Sequence, residues 1–213
     1  MNSAAIVDLP DSCGAEIDEV ACSSAARVDE QLRWRVWAAL AALPALCVAA
    51  VIYAFGVDVP FFDAWTGMAP VFVAAHDGTL SFDTFFAQHN EHRILVPRLI
   101  FFAVGWWTHW NTRLEMALTW ALLVAVSANL WMLLKVTGWR ARGGTHATYF
   151  AMALFSFTVM HEQNLFMGFQ LSFVLPLALF TAACWMANGC RRPWSFLATA
   201  LLNTIATFTI ASG

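Results

Sequence analysis

From Val36 to Val57 the chain runs 22 residues without a charge, and a helix needs about 20 such residues to cross the hydrocarbon core of a bilayer. Further apolar stretches follow at Ile94–Trp107, Leu114–Val136, Ala147–Met160, Phe169–Ala187 and Trp194–Ile210. Hydrophobic residues make up 60% of the 213 and charged residues only 12%, against about 25% charged in soluble domains. An all-α, polytopic membrane helix bundle is the fold class that this pattern allows.

The basic residues decide how many stretches cross. Arg27, Arg33 and Arg35 precede the first span, which makes it an uncleaved signal anchor with a cytoplasmic N-terminus. Lys135, Arg140 and Arg142 follow Leu114–Val136, and Arg191 with Arg192 follows Phe169–Ala187. If Ile94–Trp107 crossed, the first of these clusters would lie outside, against the positive-inside rule. That stretch is short, holds Pro97 and Arg98, and ends in Trp106-Trp107-Thr108-His109-Trp110. It reads as an interfacial or re-entrant helix with an aromatic belt. The expectation is therefore about five transmembrane helices across 36–213, with juxtamembrane helices in a first outer loop, 58–112. Residues 1–35 carry seven acids and no hydrophobic periodicity, and are expected to form a disordered cytoplasmic tail.

In that topology the other seven acids, Asp58, Asp63, Asp77, Asp83, Glu91, Glu115 and Glu162, all fall on the outer face. Two polar islands stand there, Gln88-His89-Asn90-Glu91-His92-Arg93 and His161-Glu162-Gln163-Asn164. Ionisable groups at a membrane boundary mark a functional site by default. The net charge of −3 is more than accounted for by the N-terminal acids, and no basic stripe exists, so nucleic acid is not an expected partner. Cys13 and Cys22 are in the tail, Cys47 and Cys184 within spans and Cys190 at a cytoplasmic end, so no disulfide is expected. Gly56, Gly105 and Gly168 suggest close helix approaches.

Each candidate residue has a functional and a bland reading. Asp63, a few residues past the first span and flanked by Phe61, Phe62 and Trp65, suits a general base; it equally suits the cap of a helix starting near Ala64. Read on a helix, Glu91 and His92 bracket a groove, with Arg98 a turn or two later at head-group level. Arg93 or Arg98 offers a planar fork for a phosphate, or snorkels to bulk lipid. His161, Glu162 and Gln163 make a solvated turn or a second half of a site, followed by Met167-Gly168-Phe169-Gln170. His89, His92, His161 and Glu162 are competent metal ligands, but their spacing matches no metal motif, and no cofactor is expected.

An inside N-terminus, an acid just past the first span, an aromatic first loop, a basic end to the second span and a Glu-bearing outer turn after the third together resemble the N-terminal part of the C-type glycosyltransferases (GT-C fold). The islands Gln88–Arg93 and Asn164-Leu165-Phe166-Met167-Gly168-Phe169-Gln170 are similar to bacterial multi-pass members of that superfamily. The resemblance implies a polyprenyl-phosphate-linked sugar as donor and a cell-envelope acceptor, handled on the outer face of a bacterial inner membrane. It places Asp63 at the family's first-loop acid and Glu162 at its second outer acidic motif, with Arg93 or Arg98 to hold the donor phosphate; with the polar islands, the candidate set is Asp63, Glu91 and Glu162 for catalysis and His92, Arg93, Arg98, His161, Gln163 and Gln170 for substrate binding. Ala64 follows Asp63, so the paired acids of several branches are absent and metal dependence is not implied. Family members are longer, and the chain reads as a fragment of such a protein. A transporter or flippase subunit, or an envelope assembly factor, is the alternative reading.

Overall fold

The computed structural model describes residues 12–137, 145–158, 165–189 and 192–212. His161, Glu162, Gln163 and Asn164 lie outside the described residues, as do residues 1–11. Among the described residues the fold is all-α apart from three two-residue strands. In chain order the elements are α1 (Ser12–Phe55), α2 (Asp63–His76), α3 (Phe82–Phe86), β1 (Gln88–His89), β2 (His92–Arg93), α4 (Leu95–Thr108), α5 (Thr112–Val136) and α6 (Thr145–Ser156). A 3-10 turn, Gly168–Gln170, then leads into α7 (Leu171–Gly189), α8 (Pro193–Thr207) and β3 (Ala211–Ser212).

Contacts divide the chain into residues 1–39 and 40–213. In the first unit the helix starts at Ser12, inside the segment expected to be an irregular tail. The Ala, Glu and Arg residues between Ser12 and Arg35 favour helix, and an adjoining span supplies a nucleus to extend from.

Three helical segments among the described residues are long and apolar enough to cross a membrane: Gln31–Phe55, Thr112–Val136 and Gly168–Gly189. This is fewer than the five expected from composition. α6 has 12 residues and α8 has 15, so at 1.5 Å per residue they are about 18 and 22 Å long, short of the roughly 30 Å core. Many large apolar side chains face outward, including Tyr53 (87% exposed), Phe155 (77%) and Phe196 (76%). That much outward apolar surface suits lipid and not water.

The second unit holds the packing that positions the site. α1 and α5 run antiparallel. Trp120 Nε1 donates to Ala45 O (2.9 Å), while at the other end Thr112 Oγ1 donates to Val57 O (3.1 Å) and Arg113 Nε to Gly56 O (2.8 Å). Asp58 accepts from Thr112 N at 2.7 Å, placing a carboxylate on the first free N–H groups of α5, and Asn111 caps Leu114 N at 3.1 Å. Segment 57–111 thus leaves and returns at one end of the α1–α5 pair. α4, with 14 residues, belongs to that excursion and does not continue the bundle.

α5 and α7 run parallel. Glu115 meets Gly168 at one end, Asn129 Nδ2 donates to Ala178 O (3.0 Å) midway, and Val136 meets Gly189 at the other. Trp185 Nε1 completes the middle by donating to Asn129 Oδ1 at 3.0 Å. α6 returns alongside α5, where Ser127 and Tyr149 hydroxyls lie 3.2 Å apart. α8 returns alongside α7, bringing Phe208 O within 3.1 Å of Val96 N. The core has two parts. Val48, Ile52, Met116, Phe157 and Leu165 join α1, α5 and the end of α6. Ala64, Met68, Val71, Phe101, Phe169 and Leu175 seat the excursion on α7.

Candidate active site

The excursion is a cap of short elements, and its polar groups face one end of the bundle. Gln88–Arg93 is a β-hairpin, correcting the helical reading of Glu91 and His92. Gln88 pairs with Arg93 and His89 with His92, and β2 pairs in turn with β3. Asn90 turns the hairpin at φ 50°, a left-handed conformation that Asn tolerates well; Gln88 Nε2 supports it by donating to Asn90 O (2.9 Å). Two-residue strands leave too little alternation to be read from a sequence.

Asp63 is the first residue of α2. Phe62 precedes it at φ 46° and ψ −116°, and no side chain caps the helix. The capping reading of Asp63 therefore fails. A bulky residue at such a backbone angle carries strain of about 1–3 kcal/mol, and strain of this kind clusters at functional sites. Trp65 Nε1 holds the turn by donating to Pro60 O at 2.9 Å.

Freed from capping, Asp63 Oδ1 stands 3.9 Å from His89 Nε2, with the Asp side chain 44% exposed and the His 7%. The imidazole rests against Phe169, with ring centroids 5.3 Å apart. Gly67 on α2 makes room for this: a Cβ there would come within 2.7 Å of the Phe169 ring and 3.5 Å of His89 Cε1. Burial lowers the His89 pKa; Asp63 opposes this, while Arg98 and His92 add to it. The ring is thereby biased to the neutral state near pH 7. A partly exposed carboxylate beside a buried neutral imidazole can accept a proton from a hydroxyl and pass or orient it.

The two arginines expected at a phosphate have other work. Arg98 is only 4% exposed, buried within the cap. Its Nε donates to Gly67 O (3.1 Å), and its Nη1 to Phe85 O (3.1 Å) and to Ala87 O. One guanidinium thus ties α2, α3 and the link before the hairpin to α4, satisfying the Phe85 and Ala87 carbonyls at the end of α3 and reaching Gly67 O inside α2. Burial pushes its pKa down, though guanidinium stays charged near neutrality. Arg93 Nη1 donates to Phe86 O (2.9 Å), and its Cζ lies 4.7 Å over the Phe86 ring. Glu91 is exposed at the hairpin tip, His92 is half-buried on β2, and Gln170 is half-buried in the turn beside Phe169. Among the described residues no group of three or more His, Cys, Asp and Glu side chains could hold a metal.

One buried acid was not singled out by the sequence reading. Glu115, on the first turn of α5, is 1% exposed. A Cβ on Gly168 would come within 2.1 Å of its Oε2, so the 3-10 turn closes directly on the carboxyl. Trp110 lies nearby, yet neither Trp110 Nε1 nor Glu115 Oε1 completes a hydrogen bond. The available signal was a Glu beginning an apolar run just after Asn111, together with Gly168 in the second motif. The turn therefore touches His89 through Phe169 and Glu115 through Gly168, so the two segments that carry the resemblance are neighbours in space. No family model, curated protein or solved structure matches this chain.

Proposed function

We propose that the polar end of the bundle is the catalytic face of a membrane glycosyltransferase that moves a sugar from a polyprenyl-phosphate donor to a cell-envelope acceptor. The observation that carries the reading is the Asp63–His89 pair, 3.9 Å apart, placed where the chain has just left its first span. In the proposed reaction Asp63 takes the acceptor hydroxyl proton as the new oxygen–carbon bond forms. The anomeric carbon–oxygen bond to the donor phosphate breaks, and its electron pair leaves with the phosphate. His89 orients Asp63, with Glu91, His92, Arg93 and Gln170 on the hairpin and turn beside it; Glu162, His161 and Gln163 complete the proposed set.

The proposed setting is a bacterial inner membrane with the N-terminus cytoplasmic and this face outside, because Lys135 in the last turn of α5 and Arg192 just before α8 stand at the opposite end. Five crossings then require residues flanking α6 and α8 to complete those two. A second reading, an envelope assembly or transport protein, is favoured by the use of Arg98 and Arg93 on backbone carbonyls.

The test is transfer from labelled polyprenyl-phosphate hexoses to envelope acceptors in proteoliposomes of the purified chain. The transferase reading expects Asp63→Asn to lower transfer by about 10²–10⁴-fold with the melting temperature unchanged. Equal rates, or no transfer by the native chain from any such donor, give the assembly reading its place.

A further inference from the structure

The antiparallel seam between α1 and α5 holds a groove outside the Asp63–His89 site. Ala49, Ile52, Tyr53, Ala117 and Trp120 form its apolar walls, Arg113 lies at its end, and it encloses about 300 Å3. Arg113 is the second residue of a 25-residue candidate span, at the depth where lipid phosphates sit. Trp120 lies seven residues further along α5, about 10 Å deeper. The groove thus runs from the membrane boundary into the hydrocarbon.

Its two ends are chemically distinct and fixed. Trp120 is held as a wall by its bond to Ala45 O (2.9 Å), and Arg113 is held at the mouth by its Nε bond to Gly56 O (2.8 Å). That bond uses one of five N–H donors, and the Nη groups have no acceptor among the described residues. The acids beside it, one bonded to its neighbour Thr112 and one two residues on, are committed elsewhere: Asp58 Oδ1 takes two hydrogen bonds from Thr112, and Glu115 is buried against Gly168.

We infer that this groove is a binding site for one phosphate-headed membrane lipid, its phosphate forked by Arg113 and one chain lying along Ala49, Ile52, Ala117 and Trp120. Charge complementarity selects an anion at the mouth, and the apolar walls below select a lipid over free phosphate. The site stands whether or not the transferase reading does. It differs from a snorkelling arginine in bulk lipid because the guanidinium is tethered and the chain has a walled seat.

The full chain in detergent, examined by native mass spectrometry with added phosphatidic acid, diacylglycerol of the same chains, or inorganic phosphate, tests it. One phosphatidic acid per chain should be retained, with diacylglycerol and inorganic phosphate binding at least tenfold more weakly. Arg113→Gln should weaken retention at least tenfold, and Arg113→Lys by less. Ala117→Trp, which fills the groove and keeps the guanidinium charge, should also abolish it, and circular dichroism should show all three variants folded. Equal retention of diacylglycerol, equal binding of inorganic phosphate, no retained lipid, or folded variants that keep it would each overturn the proposal.

Discussion

Arg98 and Arg113 begin neighbouring helices, and each donates its Nε to a glycine carbonyl, Gly67 O in the cap and Gly56 O in the α1–α5 seam. Their surroundings then part. Arg98 is 4% exposed and serves three carbonyls from three segments, whereas Arg113 is exposed and serves one. In the cap the five-residue α3 leaves the carbonyls at its C-terminal end free, so a charged side chain is drawn in to satisfy them. The seam is made of two long helices that satisfy their backbones internally, so its arginine remains available. The same residue type is architectural in one region and recognition-competent in the other, and the length of the elements around it makes the difference.

The sharpest way to break that contrast is Arg98→Met, which leaves the Gly67, Phe85 and Ala87 carbonyls without their donor. The cap should lose about 3–5 kcal/mol, read as a lower thermal midpoint in detergent. Arg98→Lys should recover part of it, since one ammonium cannot match the fork. An unchanged midpoint would mean the carbonyls are satisfied otherwise.

A smaller loss is expected where cap and bundle meet. Gly168→Ala places a Cβ 2.1 Å from Glu115 Oε2 and 2.7 Å from its Cβ, costing about 1–3 kcal/mol. Glu115→Ala in the same chain should remove most of that added cost, and simple additivity of the two losses would deny the contact. Below this comes Arg113→Gln, with about 1 kcal/mol for one hydrogen bond; a loss rivalling that of Arg98→Met would erase the distinction between the regions. Phe62→Gly should act in the opposite direction, raising stability by about 0.5–1 kcal/mol through relief of the φ 46° backbone.

The cap should also be the region that responds to acid. His89 has a folded pKa below its ordinary 6.5, so the unfolded chain binds the proton more readily. Stability from this group is present above pH 6.5 and falls as pH drops below it. Protection of the hairpin amides, taken relative to their intrinsic exchange rates, should fall over that window, with that of α5–α7 amides unchanged, and His89→Gln should flatten the response.

These two regions also differ in how far the sequence reveals them. The long helices of the seam are legible because apolar length is a one-dimensional signal: Thr112–Val136 was expected almost to its ends, and the short apolar stretch before it, with Pro97, Arg98 and the tryptophans, is the 14-residue α4. The cap is not legible in the same way. Its hairpin has two-residue strands, and the role of Arg98 depends on carbonyls 11, 13 and 31 residues away. Asp63 could be nominated from its position, but its partner His89 could not, because only the fold brings β1 to the first turn of α2. Glu115 looked like one more outer acid until Gly168 was found against it.

In the proposed topology the cap leaves and returns at one membrane face, the exoplasmic one. Side-specific thiol labelling tests it, with the five native cysteines replaced by serine and single cysteines placed as Glu91→Cys at the hairpin tip and Thr137→Cys at the far end of α5. In intact cells an impermeant maleimide should label position 91 and reach position 137 only after permeabilisation. Labelling of 137 in intact cells with 91 protected would invert the protein, place Asp63 and His89 on the cytoplasmic side, and contradict the proposed catalytic face.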